Sequence, residues 1–413
     1  MYYDVVIVGA GIAGLRTGIW LLEHGIRCVI LEKYNYIGGR IVTYHKSIPG
    51  VGKVRWENGA GRISTRHTKV LGLLKHYGLH TYPISGESGY MNEPGVLQPN
   101  RFSALCSIFL DPLRQLPADV LQTHTLRQVS EMVFGSAKTR EFYSQFPYFS
   151  EVHTARADSA LLAFSNEMSS MDGFVGCAEG MSALIDGMVA EFKKLGGVIE
   201  LNQEVVSVLS PVVRCKNGVF FAPVCVMALH SEAMKQIHGV SHLPVLQKLV
   251  MNPLLRMYAV FPVKKGKAWF ADFPKIVTDD RIRFIIPISE RTIMISYTDG
   301  NDARFWMRED PKEVEKIVMR HIRSLFPNCD VPDPIFFKTH PWTYGCTYWK
   351  PGRYDVIEES RRSIHPDPSG MPGLFVCGES FSVEPCWIES AIDQADQMLG
   401  SAAWKAAVRA LKS

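Results

Sequence analysis

A glycine turn between two apolar runs lies at the start of the chain and limits the path the backbone can take. The run Val5–Val8 leads into the sequence Gly-Ala-Gly-Ile-Ala-Gly, a helical pattern follows, and a second apolar run ends in Glu32. Gly9 permits the tight turn, Gly11 lets backbone N–H groups approach a diphosphate, and Gly14 lets the helix pack closely on the strand. The helix N-terminus presents partial positive charge to phosphates, and Glu32 lies where a carboxylate binds a ribose diol. The sequence therefore predicts a strand–helix–strand unit that binds a dinucleotide.

The composition is that of a large globular protein. The chain has 413 residues, of which 46% are hydrophobic, and its net charge of +4 is not concentrated in a basic block. We therefore expect two or three domains and neither a nucleic-acid nor a membrane partner. The first strand begins almost at once, which leaves no room for a signal peptide, and no apolar run reaches the roughly 18 residues of a membrane span. The nine cysteines form no CxxC pair, so the sequence predicts a cytoplasmic protein with reduced thiols and no metal site.

The rest of the chain alternates between helical and strand-like patterns. Residues 98–165 carry apolar residues at helical spacing, residues 245–300 contain short runs typical of antiparallel strands, and residues 311–326 predict a helix. A glycine loop, a helix and a strand follow one another between Phe174 and Val208, and an apolar strand at Leu374–Cys377 precedes a final helix. Elements typical of a nucleotide-binding sheet therefore recur at the start, the middle and the end of the chain.

Two pairs of polar residues are interpreted as ordinary surface features. His76 and His80 are four residues apart, but a glycine lies between them, so we expect a solvated helix end instead of a metal pair. Asp299 and Asp302 lie beside a glycine and predict a turn.

Two further segments indicate which dinucleotide is bound. Gly39 and Arg40 follow soon after the first unit, where a turn and a guanidinium can hold diphosphate or ribityl oxygens. At the other end of the chain an apolar strand ends at Gly378 and Glu379, and a helix begins near Trp387. The glycine allows close approach of a cofactor, the carboxylate can bind a ribityl hydroxyl, and a helix N-terminus stabilises negative charge on a reduced flavin. An NAD enzyme does not need this second contact, whereas an extended FAD does, so the sequence predicts FAD.

At these residues the chain resembles the FAD-dependent amine oxidase family, which includes monoamine, polyamine and L-amino-acid oxidases. The resemblance covers nearly the whole chain and is strongest in the segments Asp4–Thr43, Trp56–Ile84, Phe174–Val208, Tyr344–Gly352 and Leu374–Gly400. It implies that the protein oxidises a C–N bond of a small-molecule amine or amino acid by hydride transfer to the flavin. Molecular oxygen would then be the electron acceptor.

The predicted fold is α/β, with a Rossmann-like FAD-binding domain interleaved with an α+β substrate domain of mixed sheet plus helices. The discontinuous FAD-binding domain is expected to comprise residues 1–75, 168–240 and 360–413. The substrate-binding domain is expected to comprise residues 76–167 and 241–359.

The resemblance also implies a set of FAD-binding residues. Six residues match family positions that bind the adenosine and diphosphate: Gly9, Gly11, Gly14, Glu32, Gly39 and Arg40. Four residues match family positions that lie beside the flavin: Gly59, Ala60, Gly61 and Arg62. Val206 would meet the adenine through its backbone, while Glu379 and Ile388 would lie at the ribityl chain and the pyrimidine edge. The set is completed by Ala13, Lys33, Gly378, Trp387 and Ala391. The spacing from Cys346 to Gly352 differs from that of members with a covalent flavin link, so non-covalent FAD is expected.

Arg256 is the main departure from the family pattern among the candidate catalytic residues. Members usually carry a lysine near flavin N5 that is implicated in oxygen reactivity, and Arg256 falls at or near that position. Arginine stays charged and binds in a planar fork, whereas a buried lysine can shift its pKa. Oxygen activation is therefore expected to differ. Alternatively, Arg256 pairs with a carboxylate of a substrate or partner, or is an exposed strand residue.

An aromatic pair that flanks the amine is the second feature implied by the resemblance. Trp387 matches one of the two positions, and either Tyr344 or Tyr348 matches the other. These rings would contact the substrate amine, although packing within the core is the alternative for each of them.

Two other functions fit the same motifs. Desaturases and protoporphyrinogen oxidases share this architecture, and the helical run Phe134–Phe164 resembles theirs as well. A flavin-binding protein with little oxidase activity is the other alternative, which Arg256 favours. There is no second glycine turn for NAD(P)H, which disfavours a reductase with its own nicotinamide domain.

Overall fold

The structure is a computed structural model that describes residues 2–169 and 173–412. Its strands within these residues are β1 (Val5–Val8), β2 (Cys28–Leu31), β3 (Thr43–Ile48), β4 (Gly52–Glu57), β5 (Ile63–Ser64), β6 (Thr81–Ile84), β7 (Ser88–Glu93), β8 (Val96–Pro99), β9 (Phe174–Cys177), β10 (Val198–Glu200), β11 (Val205–Leu209), β12 (Val212–Cys215), β13 (Gly218–Phe221), β14 (Val224–Met227), β15 (Leu249–Val260), β16 (Lys275–Thr278), β17 (Phe284–Pro287), β18 (Thr292–Asp299), β19 (Phe336–Trp349) and β20 (Leu374–Val376).

The same residues form helices of very different length. They are α1 (Ile12–Glu23), α2 (Thr68–His76), α3 (Phe102–Arg114), α4 (Ala118–Thr123), α5 (Leu126–Phe134), α6 (Ser136–Ser144), α7 (Ser150–His153), α8 (Ala157–Ser169), α9 (Ser182–Lys194), α10 (Ser231–Met234), α11 (Gly300–Trp306), α12 (Val314–Leu325), α13 (Val356–Ser363), α14 (Ile388–Gly400) and α15 (Ala402–Lys412), with short 3₁₀ helices at Pro244–Lys248 and Glu379–Phe381. In the described part of the chain, no helix is long and apolar enough to cross a membrane.

A five-stranded sheet with the order β10-β2-β1-β14-β20 is parallel throughout. Its central strand β1 pairs with β2 on one side and with β14 on the other, and all three are fully buried. Parallel strands covered on both faces read as continuous apolar runs, which is the pattern seen in the sequence. Helices α1, α9 and α14 cover this sheet together and share one apolar core.

A seven-stranded sheet with the order β19-β15-β18-β17-β16-β7-β8 forms the second layer, and only the β16–β7 pair in it is parallel. Strands of the first sheet come from the three segments predicted for the FAD-binding domain, and strands of this sheet come from the two predicted for the substrate domain. The α/β fold class with a Rossmann-like unit is confirmed. The domain boundaries themselves stay a prediction.

Six short helices pack together beside the second sheet. Helices α3 to α8 lie between Phe102 and Ser169, where the apolar spacing predicts helices. Their shared core contains Phe102, Val129 and Phe142, and Tyr348 of β19 is packed into it. This helical layer therefore contacts the sheet through a strand that also carries candidate site residues.

The turn predicted at Asp299 is the start of a helix. Gly300 takes a φ of +54°, as a turn requires, but α11 continues from it to Trp306. The Asp299 carboxylate does not cap α11, because it accepts the backbone N–H groups of Phe149 at 2.7 Å and Ser150 at 2.8 Å. The aspartate therefore ties the helical layer to the sheet, a role that its local sequence does not reveal.

Replacing Gly14 with Ala tests the close packing of α1 on the glycine turn. A Cβ at Gly14 would lie 2.0 Å from the carbonyl oxygen of Gly9, so the backbone has to shift. We expect a loss of roughly 1–3 kcal/mol in the free energy of unfolding, measured by denaturant titration, and less bound flavin.

Gly72→Ala is the matched control, since Gly72 is exposed in helix α2 and a Cβ there would meet no atom within 4 Å. It should leave stability unchanged or raise it by up to about 1 kcal/mol. Equal stability of the two variants would contradict the packing argument.

Candidate cofactor and substrate site

The N-terminus of α1 is open, as a diphosphate site requires. Gly11 is its N-cap residue and has no side-chain hydrogen bond, and a Cβ at Gly11 would meet no atom within 4 Å. Gly9 takes a φ of +107°, and the tight contact of Gly14 with Gly9 brings the helix onto the strand end. Ala13 is buried in the first turn of the helix. Uncapped N–H groups beside open space fit a bound anion.

A second glycine loop lies against this turn. The N–H of Gly38 donates to the carbonyl of Ala10 at 3.0 Å, and Gly38 takes a φ of +115°. Gly39 takes a φ of +61°, and its Cβ position is 3.6 Å from the Cα of Gly11. The Gly39–Arg40 segment therefore flanks the helix start, where the sequence places it.

Glu32 is buried at the end of β2. Its carboxylate accepts the N–H groups of Ala10 at 2.9 Å and Tyr34 at 3.0 Å. Burial raises the pKa of Glu32, and these N–H groups oppose that shift. Each carboxylate oxygen keeps a further lone pair that can accept a ribose hydroxyl. Lys33, beside it, is exposed and pairs with Glu204 at 3.7 Å.

Strand β11 approaches the same end of the parallel sheet. The N–H of Gln203 donates to the carbonyl of Glu32 at 2.8 Å, just before the strand begins. The pairing register of β11 shifts at Val206, whose carbonyl accepts the N–H of His238 at 3.0 Å. Val206 therefore lies three residues beyond the backbone contact with Glu32, and its role at the adenine stays a prediction.

An ion pair joins the half-buried Arg40 to the buried Glu379. The guanidinium donates to Glu379 at 2.5 Å and to the carbonyl of Gly345 at 2.9 Å. The Glu379 carboxylate also accepts the hydroxyl of Thr347 at 3.0 Å and the N–H of Cys386 at 2.7 Å. Burial by itself would raise the pKa of Glu379, but the charge of Arg40 outweighs it and holds that pKa below its usual value.

The C-terminal segment follows this pair closely. Gly378 takes a φ of +124°, which suits a glycine at the strand end, and Trp387 is the N-cap residue of α14. Ile388 and Ala391 are buried in the first turns of that helix. The second contact predicted for an extended FAD is therefore tied, through Arg40, to the first.

A cavity of about 1070 Å³ opens beside these elements. It is slightly larger than the roughly 300–1000 Å³ typical of small-molecule sites, which suits a ring system together with a small substrate. The predicted site residues in its wall are Ala60, Gly61, Arg62, Arg256, Tyr348, Trp387 and Ile388. Gly59 lies behind the wall, where a Cβ would be 1.9 Å from the carbonyl oxygen of Arg40.

The two candidate tyrosines of β19 lie in different places. Tyr348 is buried in the cavity wall, and burial raises its pKa well above the usual value. Tyr344 is 44% exposed and packs against His230, with ring centroids 5.4 Å apart and the rings tilted by 41°, away from the cavity. A bulge in β19 explains this difference. Asn252 and Leu254 of β15, two residues apart, pair with Cys346 and Trp342 of β19, which are four residues apart, so the extra residues of β19 bulge beside Pro253. A proline has no N–H for the ladder and is found at such bulges.

Arg256 lines the cavity but its guanidinium is bound to backbone. One terminal nitrogen donates to the carbonyl of Glu57 at 3.1 Å and to the carbonyl of Gly59, and the other reaches the Tyr297 hydroxyl at 3.3 Å. Burial by itself would lower the pKa of Arg256, but Tyr297 and Tyr258 raise it above its usual value. Arg256 is therefore a fixed cation that holds the segment before Ala60, and it is not an exposed strand residue.

Arg62 lies between aromatic rings in the same cavity. Its guanidinium carbon is 4.2 Å from the centroid of the Phe174 ring, 5.4 Å from that of Trp387 and 5.7 Å from that of Tyr148. The nearest carboxylate, that of Glu167, is 3.9 Å away. Burial by itself would lower the pKa of Arg62, but Tyr148 and Glu167 raise it. This arrangement leaves a permanent positive charge facing the cavity.

Several cavity residues carry no sequence signal that singles them out. Burial, reinforced by Glu167, raises the pKa of Glu151 well above its usual value, and burial also raises the pKa of Glu57 and of Tyr297. Glu57 lies two residues before Gly59, and Cys386 directly precedes Trp387, so proximity to a motif is the only available hint. Tyr148 and Glu151 lie in the helical layer outside any motif.

Metal binding finds no support in the described residues, which contain no group of three or more His, Cys, Asp or Glu placed to hold an ion. His76 and His80 are exposed and pair separately, with Glu191 at 3.5 Å and Glu179 at 2.7 Å. They form a solvated helix end, as predicted.

An uncapped helix N-terminus, a buried ribose-type acid and a second glycine contact lie next to a large cavity, and this arrangement is that of a dinucleotide-binding protein. A sequence profile described as flavin containing amine oxidoreductase matches residues 12–398. The chain belongs to this family, and its cofactor is FAD. The resemblance and the cofactor predicted from the sequence are confirmed.

Two curated relatives match the chain over short stretches. Putrescine oxidase from Kocuria rosea is 38% identical over 94 residues, which are 22% of this chain and 19% of the relative. The L-amino-acid oxidase of Naja atra is 36% identical over 77 residues, which are 18% of this chain and 14% of the relative. The matches therefore span less than a fifth of each relative's length.

Solved structures match over the whole chain. A putrescine oxidase bound to putrescine has a TM-score of 0.75 at 17% identity and covers 100% of both chains. A putative protoporphyrinogen oxidase from Exiguobacterium sp. 255-15 also has a TM-score of 0.75, at 14% identity, and covers 97% of this chain and 98% of its own. At these identities the likeness concerns the fold alone.

Glu379→Gln tests the ion pair with Arg40. Removing one partner of a fully buried pair costs roughly 3–5 kcal/mol and of an exposed pair about 0–1 kcal/mol. Because Arg40 is 28% exposed, we expect a loss between these limits and unfolding at lower denaturant concentration at pH 7. Because the folded pKa of Glu379 lies below the unfolded one, its contribution is present above the unfolded value of about 4.3 and is lost as pH falls through the folded pKa. Denaturant unfolding from pH 7 to pH 3 should show the difference from the native chain shrinking.

Glu358→Gln is the control, because Glu358 also pairs with arginines, Arg361 and Arg362, but on the exposed surface of α13. It should change stability little at either pH. A stability loss in Glu379→Gln that stays constant down to pH 3 would count against the charge pair as its cause.

Proposed function

We propose that this protein oxidises the C–N bond of an α-amino acid, with FAD as cofactor and oxygen as acceptor. The observation that carries the proposal is the position of Arg62 beside Trp387 in the cavity. When bound, FAD accepts a hydride from the substrate carbon next to the amine and returns the electrons to oxygen.

The positive charge of Arg62 favours a substrate that carries a carboxylate next to the amine. A substrate ammonium about 5 Å from a guanidinium is repelled by roughly 3 kcal/mol at an effective dielectric constant of about 20. A substrate carboxylate would instead form a charge-assisted, bidentate pair with the guanidinium. The Glu167 carboxylate, at 3.9 Å, is farther than the roughly 2.7–2.9 Å of such a pair. Arg62 can therefore hold an amino acid by its carboxylate and place the amine beside Trp387.

The other residues have supporting roles in this proposal. The glycine turn, Glu32 and the Arg40–Glu379 pair would hold FAD without a covalent link. Tyr348 and Trp387 would form the aromatic walls around the amine, and Tyr344 takes no part. Arg256 would keep the Gly59 segment in place through its bonds to the backbone.

Oxidation of a diamine is the second candidate, and Glu151 favours it. This acid lines the cavity near Glu167, and burial raises the pKa of both. Such carboxylates can ionise when a second ammonium of a substrate approaches. The putrescine oxidase relative is compatible with this alternative.

Anaerobic reduction by matched substrate pairs separates the two candidates. Each amino acid is compared with its decarboxylated amine: ornithine with putrescine, lysine with cadaverine, and tyrosine with tyramine. We expect the flavin absorbance near the visible maximum to bleach with amino acids and to remain with the amines. Bleaching by amines alone supports the diamine alternative, and bleaching by neither class rejects amine oxidation in favour of a protoporphyrinogen-oxidase-like or non-catalytic protein.

Arg62→Gln should lower kcat/KM for an amino acid more than for its decarboxylated amine. A hydrogen-bonded charge contributes about 1.5–3 kcal/mol, so we expect a loss of roughly 10–150-fold for the amino acid. Lys53→Gln, which removes a charge from the mouth of the same cavity, is the control and should have little effect. Equal losses for both substrates of a pair would contradict recognition of the carboxylate by Arg62.

Arg256→Lys tests the departure from the family lysine. The terminal nitrogens of Arg256 are held by backbone carbonyls and Tyr297, whereas a lysine has three rotatable donors on a flexible stem and can bind water as well. We expect the ratio of oxygen consumption to anaerobic reduction rate to rise several-fold. Arg256→Met, of similar length without charge, should not raise the ratio. An unchanged ratio in the lysine variant would show that this position does not limit the reaction with oxygen.

A further inference from the structure

Two cysteines line the cavity wall near Trp387. Cys346 lies on β19 and Cys386 directly precedes the N-cap residue of α14, and both line the cavity. The Cys386 thiol donates to the carbonyl of Thr347, the residue next to Cys346, at 3.1 Å, and both cysteines pack against the core of the helical layer. Neither thiol takes part in the proposed substrate oxidation.

The backbone of Cys386 is held in an uncommon conformation. Its φ of +75° lies in the left-handed region, which is uncommon for residues other than glycine and carries a strain cost. Its N–H donates to Glu379 at 2.7 Å, and the same carboxylate accepts the hydroxyl of Thr347, next to Cys346. One buried carboxylate therefore fixes both cysteine-bearing segments beside each other.

The remaining cysteines lack this arrangement. Cys177 also lines the cavity, but its thiol donates to Glu179 at 3.6 Å. Cys377 is fully buried and contacts the hydroxyl of Thr17 at 3.9 Å. These two residues provide internal controls, one inside the cavity and one close in sequence to Cys386.

We propose that Cys346 and Cys386 form a reversible disulfide when hydrogen peroxide is present in the cavity. The Cys386 thiolate attacks one peroxide oxygen, the O–O bond breaks, and a sulfenic acid and water form. The Cys346 sulfur then attacks the sulfenic sulfur and a second water leaves. Two thiols and one hydrogen peroxide thus give one disulfide and two waters. The supply of this peroxide by turnover rests on the proposed function. The reaction of the two thiols with peroxide does not depend on that function.

The surroundings of the pair keep it reduced at rest. The neighbouring Cys346 side chain, followed by burial, raises the pKa of Cys386 well above the usual value for a thiol. The thiolate is the attacking form, so dilute peroxide from bulk solvent reacts slowly at neutral pH. Peroxide released within the cavity reaches the pair at a high local concentration. Oxidation should also become faster as the pH rises.

The disulfide would lock β19 to the residue before Trp387. Tyr348 lies two residues beyond Cys346 on β19, so the bond would join both aromatic positions proposed for the amine site. We expect the substrate oxidation rate of a sample to fall several-fold after peroxide treatment, compared with the rate of the same sample before treatment. Dithiothreitol should restore the original rate. The pair is thus a modification site at which the product peroxide limits further turnover.

Thiol counting and peptide mapping of the holoprotein test the proposal directly. Added hydrogen peroxide should lower the number of free thiols in the denatured protein by two from the nine of the sequence. A tryptic digest without reductant should contain a cross-link between the peptides of Cys346 and Cys386. Cys377 lies on the same tryptic peptide as Cys386, so Cys377→Ser must keep the cross-link, as must Cys177→Ser.

Cys346→Ser and Cys386→Ser should each abolish the cross-link. A peroxide-treated native chain that keeps nine free thiols, or that carries only singly oxidised cysteines without a cross-link, overturns the proposal. Because peroxide is added directly, this result does not depend on oxidase activity. A cross-link with added peroxide but none during aerobic turnover would count against the proposed oxidase function while supporting the site.

Discussion

The ion pair between Arg40 and Glu379 joins segments that are 339 residues apart, and the geometry of the whole site depends on it. A carboxylate buried this deeply is stable only if it is paired and its lone pairs are satisfied. Glu379 meets that need with Arg40, with the hydroxyl of Thr347 and with the N–H of Cys386. The glycine loop, strand β19 and the start of α14 are therefore fixed around one buried anion.

Three arginines of the described residues line the cavity beside this pair, and two of them, Arg62 and Arg256, have different surroundings. Arg256 is bound to the carbonyls of Glu57 and Gly59, so its charge is used to hold the chain in place. Arg62 lies against aromatic rings, with its nearest carboxylate at 3.9 Å. The contrast supports the proposal that Arg62 recognises the substrate and that Arg256 supports the cofactor segment.

Much of the fold and of the cofactor site could be predicted from the sequence. The glycine turn, the second glycine loop and the C-terminal strand end lie together, because each motif acts through local backbone geometry and sits at the same edge of one parallel sheet. The substrate side was harder to predict. Whether Tyr344 or Tyr348 enters the cavity depends on a bulge opposite Pro253, and no spacing rule within β19 reveals a bulge that its partner strand creates.

The sequence by itself determined the class of cofactor and the strand–helix–strand unit that binds it, because glycine conformation and apolar periodicity are properties of short stretches of chain. Only the tertiary structure decided what the charged residues do. Arg256 meets Glu57 across 199 positions of sequence, and Asp299 meets Phe149 across 150. Such contacts follow from how sheets and helices pack, and the free energy of burying a charge then selects its partner.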